Sequence, residues 1–60
     1  MKLTKTLAER VAQRMRRDGF DCTAGDVLDV FRDGGWLDDR EALASRILQE
    51  FEELGIEVPV

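Results

Sequence analysis

The sequence predicts an all-α fold, a small three-helix bundle with short extended N- and C-terminal arms. Three observations predict it: start signals with capping-box spacing occur three times, a glycine closes each segment so opened, and apolar residues recur at helical intervals between them. Thr6-Leu7-Ala8-Glu9, Thr23-Ala24-Gly25-Asp26 and Asp38-Asp39-Arg40-Glu41 each place an oxygen acceptor three residues before a carboxylate. In that arrangement the cap accepts from the third helical amide and the carboxylate reaches back to the cap's own N–H. Asp26 is one methylene shorter than the ideal Glu, so the middle box is the weakest. Gly19, Gly34 and Gly55 then supply the left-handed residue that ends a helix without a Cβ clash.

Helices are therefore expected at about 7–18, 24–33 and 39–54 within a single domain spanning residues 1–60. Thr4 competes with Thr6 as the first cap and would draw Leu3 into the helix. Leu3, Leu7, Val11 and Met15 line one side of the first segment. Ala24, Val27, Leu28, Val30 and Phe31 do so on the second, and Leu43, Ala44, Ile47, Leu48, Phe51 and Leu54 on the third. Arg46 and Glu50 form an i,i+4 ion pair assigned to the outside of that stripe. Phe20 and Ile56 follow closing glycines, where an apolar residue folds back on the last turn. Short connections favour consecutive antiparallel helices.

Composition narrows the function. With 60 residues the chain lies near the lower limit for burying its own core, which makes help from a partner or a second copy a reasonable expectation. One cysteine closes no loop within the chain, and no apolar run reaches the roughly 18 residues of a membrane span. The opening Met1-Lys2-Leu3-Thr4-Lys5 turns polar too soon for a signal peptide, so a cytoplasmic location is expected.

Charge is divided unevenly along the chain. Residues 1–18 carry six basic side chains against two acidic ones, whereas the remainder carries three against eleven, within a net charge of -4. Arg10, Arg14 and Arg17 form a ridge on one flank of the first helix, and Asp26, Asp29 and Asp33 form one on the second. A basic ridge can meet successive phosphates of a nucleic acid, or it can be a solvated face. The acidic ridge suits docking of a basic protein, or solubility alone, and the two ridges are complementary enough to join two copies as a homodimer. Trp36, after Gly34-Gly35, is either a lid over the core or an anchor for a partner.

Enzymatic chemistry is not expected. There is no histidine, Ser45 has no evident base, and Cys22 is flanked by Asp21 and Asp26, which oppose a thiolate. A zinc site lacks ligands, and Asp38, Asp39 and Glu41 lack the spacing of a calcium loop. Gly34-Gly35 is not a phosphate loop. Neither metal, cofactor nor membrane is expected as a partner.

Leu3-Thr4-Lys5-Thr6-Leu7-Ala8-Glu9-Arg10-Val11 resembles the strand and first helix start of ribbon-helix-helix repressors and antitoxins, and Thr23-Ala24-Gly25-Asp26-Val27-Leu28 is similar to the start of their second helix. The resemblance covers roughly the first half of the chain. It implies a dimer whose paired N-terminal strands enter the major groove, pointing Lys2, Thr4 and Thr6 at bases. Lys5 departs from the pattern, since it falls where that strand needs an inward apolar residue, and the first helix is about one turn short. The leading expectation is thus a small acidic, non-enzymatic interaction or regulatory module with Asp26, Asp29, Asp33 and Trp36 as contact residues. The alternative is a DNA-binding regulator using Lys2, Lys5, Arg10, Arg14 and Arg17.

Overall fold

The structure, a computed structural model, describes residues 2–33 and 39–58. Within them the chain forms α1 (Lys5–Arg17), α2 (Ala24–Arg32) and α3 (Glu41–Leu54), and no strand occurs among the described residues. Non-helical segments 2–4 and 56–58 are the two arms. Expectations resting on Gly34, Gly35, Trp36 and Asp38 lie outside the described residues.

The first helix begins two residues earlier than expected, because Thr4, not Thr6, is its cap. Thr4 Oγ1 accepts from the Leu7 amide at 3.2 Å. The choice follows from the flanking residues. With Thr4 as cap, the preceding Leu3 packs on the core and the fourth helical residue is the buried Ala8, the pattern of a hydrophobic staple. A cap at Thr6 would put Lys5 and Arg10 in those places.

The second box forms in full despite its short carboxylate. Asp26 N donates to Thr23 Oγ1 at 3.3 Å, and Thr23 N donates to Asp26 Oδ2 at 3.0 Å. The third helix starts later than the expected residue 39, since Asp39 has φ 58, a left-handed conformation that aspartate tolerates outside helices. Glu41 is accordingly the first residue of α3, and Arg40 before it makes no side-chain cap bond.

Both described glycine stops behave as the sequence implies. Gly19 has φ 94 and Gly55 φ 74, while Phe20 N reaches Met15 O at 2.9 Å and Ile56 N reaches Phe51 O at 2.8 Å. These are the long hydrogen bonds of Schellman closures, which satisfy carbonyls left open at a helix end.

The core joins Ala8, Val11, Ala12 and Met15 of α1 to Val27 and Val30 of α2 and to Leu43, Ala44, Ile47 and Phe51 of α3. Cys22 and Ile56 complete it from the connections. Phe31 meets Phe51 edge-on at 6.1 Å between ring centroids, at 83°. Arg40, just before α3, is held at the start of α2 by Asp26, so α2 and α3 start together and meet again at the two phenylalanines. They are therefore not the antiparallel pair that short connections favour. Leu54 departs from its assigned stripe, being 37% exposed in the last turn of α3.

Thr23→Ala is expected to cost about 1 kcal/mol and Thr4→Ala a similar amount, with Thr6→Ala within about 0.5 kcal/mol of wild type in urea denaturation. A Thr6 effect as large as that of Thr4 would contradict the cap assignment.

Candidate interaction surfaces and a buried ion-pair network

Glu50 is the one polar residue in the described core, at 1% exposure, which corrects the assignment of its ion pair to the helix exterior. Its side chain lies between two arginines. Arg14 Nε of α1 is 3.0 Å from Glu50 Oε1, and Arg46 Nη1 is 3.3 Å from Glu50 Oε2. Arg46 continues through Nη2 to Asp18 Oδ2 at 3.0 Å, so four charged groups join the end of α1 to the middle of α3. A buried carboxylate without partners would cost several kcal/mol, and two guanidiniums with outer N–H groups still reaching water offset that penalty. The helical wheel holds the signal that reveals this placement: Glu50 follows Leu43 by seven residues and shares its side of α3.

Two further arginines tie the connections down. Arg16 Nη1 donates to the Cys22 carbonyl at 2.7 Å. Arg40 pairs with Asp26 Oδ2 at 3.1 Å and donates to the Asp21 carbonyl. Burial pushes the Cys22 thiol above 9.0 and the Asp26 carboxylate adds to this, with Arg40 and Arg16 acting in the opposite direction. The thiol donates to the Thr23 carbonyl at 3.5 Å.

These internal contacts sort the candidate residues. Arg14 leaves the basic ridge as a free group because it holds Glu50, although 58% of its side chain is exposed. Asp26 leaves the acidic ridge because its carboxylate serves both the Thr23 cap and Arg40. Lys2, Lys5, Arg10 and Arg17 are exposed, as are Asp29 and Asp33, and none of the six has an ion pair among the described residues. Trp36 lies outside the described residues. Thr4 caps α1 and Thr6 is helical, so the Lys2, Thr4, Thr6 alternation implied by the ribbon-helix-helix resemblance stops at Thr4. Lys5 is the exposed first residue of α1 rather than an inward strand residue.

Asp29 and Asp33 are set against the local field, because both stand at the carboxyl end of α2, where the helix dipole favours cations. Only Arg32 is basic in that last turn. Glu52 and Glu53 end α3 similarly, but adjacent residues diverge by about 100° around a helix, whereas Asp29 and Asp33, at i,i+4, make one ridge. Thr6, Glu9, Arg10, Ala12, Gln13 and Arg16 of α1, with Ala24 at the start of α2, line a shallow groove of about 350 Å³. No helix among the described residues is long and apolar enough to cross a membrane, and no acid or thiol cluster there is arranged to hold a metal. Comparison with protein-family models, curated proteins and solved structures returned no match.

Glu50→Ala is expected to destabilise the fold by about 2–3 kcal/mol, while Arg14→Ala, which leaves Arg46 in place, costs about 1 kcal/mol in urea denaturation. A Glu50→Ala effect no greater than that of exposed Glu52→Ala would show the network to be idle. Because folding raises the Cys22 thiol above its unfolded value, the stabilisation is complete below pH 9.0 and declines as pH rises through the folded value. Cys22→Ala should remove that part of the alkaline loss, measured as unfolding free energy against pH.

Proposed function

We propose that this chain is a non-enzymatic interaction module that docks on another protein through charged helix faces, in the manner of a small regulatory accessory protein. The observation that carries this reading is the Asp29–Asp33 ridge, exposed, unpaired and placed where the α2 dipole disfavours it. Internal pairing accounts for Asp26 but leaves these two carboxylates without a structural task. Cationic groups of a partner would relieve both repulsions at once.

Immobilised wild-type protein should retain a partner from lysate of the producing cells, and Asp29→Lys with Asp33→Lys should reduce retention about tenfold or more, since like charges facing across an interface cost several kcal/mol. Glu52→Lys with Glu53→Lys makes the same change in net charge and should leave retention intact. Equal retention by the Asp29/Asp33 variant overturns the reading.

A DNA-binding reading is favoured by the unpaired cations Lys2, Lys5, Arg10 and Arg17. In the same assay series, duplex DNA bound through them would show a salt slope that falls by about 0.9 for each phosphate contact removed. Absence of duplex binding at low salt eliminates it.

A further inference from the structure

We infer that the partner met by the Asp29–Asp33 ridge is α1 of a second copy of this chain, docked antiparallel to α2; this rests on the docking role proposed for that ridge. Six exposed residues carry the argument: Glu9, Arg10 and Arg17 on α1, and Asp29, Arg32 and Asp33 on α2. None has an ion pair within the described residues.

Their order around each helix selects the partner and its direction. Buried Ala8, Val11, Ala12 and Met15 fix the inward side of α1, and Val27 and Val30 that of α2. With about 100° per residue, Glu9 falls to one side of the outward line of α1 and Arg10 and Arg17 to the other. On α2 the same construction puts Arg32 on the first side and Asp29 and Asp33 on the second. Helices packed face to face and antiparallel bring like sides together. Arg10 and Arg17 then face Asp33 and Asp29, and Glu9 faces Arg32. A parallel arrangement exchanges the sides and sets arginine against arginine and acid against acid.

Distances along the axes agree with the antiparallel pairing. Arg10 and Arg17 are about 10.5 Å apart along α1, and Asp29 and Asp33 about 6 Å along α2, a difference within the reach of an arginine side chain. The uncharged Thr6 and Gln13 lie between the charged flanks of α1 and put no charge between them. A second copy is favoured over an unrelated basic protein because every unpaired charge on the α2 face has an opposite on the α1 face, including the cation Arg32, which a uniformly basic partner would repel.

Exposed pairs contribute a factor of about 1.5–5 each to an association constant, so the dimer is weak and sensitive to salt. Light scattering or sedimentation at millimolar protein should show the mean mass rising with concentration at about 0.01 M salt and returning to that of one chain at about 1 M, where screening acts within about 3 Å. Arg10→Glu with Arg17→Glu should remove association, as should Asp29→Arg with Asp33→Arg. An equimolar mixture of the two variants restores complementary faces and should associate at least as well as wild type. Glu52→Arg with Glu53→Arg changes net charge as the second variant does and should still associate.

Wild type that stays monomeric at millimolar concentration and low salt overturns the proposal without any variant, as does failure of the mixture when both variants keep wild-type helicity. Should lysate retention still depend on Asp29 and Asp33 in that case, only pairing between copies has failed. Loss of that dependence as well overturns the docking reading beneath it.

Discussion

The buried carboxylate of Glu50 constrains how the third helix can sit. A chain of 60 residues has a small core, and much of it is the contact between α1 and α2, with α3 laid on more sparsely. Apolar contact alone is non-directional and would permit α3 to slide or rotate on that pair. A charge at 1% exposure permits much less, since moving Glu50 away from Arg14 and Arg46 leaves it desolvated and unpaired. The network adds orientation to a core whose residues supply most of the cohesion. Asp18, at the end of α1, extends the same constraint along α3 through Arg46.

What the sequence reveals and what it conceals follow from the range of each interaction. The Thr23 box, the glycine closures at Gly19 and Gly55 and the apolar stripes of α1 and α2 are codes written within a few residues, and they are legible because the groups that satisfy one another are neighbours in the chain. Thr4 against Thr6 is a contest between two local codes, decided by whether Leu3 or Lys5 lies next to the core. The start of α3 was not legible, because Arg40 is anchored by Asp26 and the Asp21 carbonyl, about 14 to 19 residues earlier. Glu50 was concealed differently: its spacing from Arg46 is that of an ordinary surface pair, and its second partner, Arg14, is 36 residues away.

The same distinction divides the charged ridges. Each looked like a row of three equivalent side chains, and folding removes one from each row for long-range work, Arg14 to Glu50 and Asp26 to Arg40. The sequence therefore shows the spacing of the charges along each helix but not which of them folding engages. What remains is separated in space, with cations on α1 and the two unsatisfied carboxylates at the end of α2.

Those carboxylates matter because solubility does not require them to stand where they do. Acidic side chains at the amino end of α2 would be equally hydrated and would gain from the helix dipole, as Asp26 does in the first turn. Asp29 and Asp33 instead lie near exposed carbonyls at the other end, where each is worth a few tenths to about 1 kcal/mol against folding. In a domain whose stability is small to begin with, a repulsion of that size is noticeable. Arginine or lysine brought in from outside converts both repulsions into attractions without altering the fold, and the energy stored in the isolated helix then favours the complex.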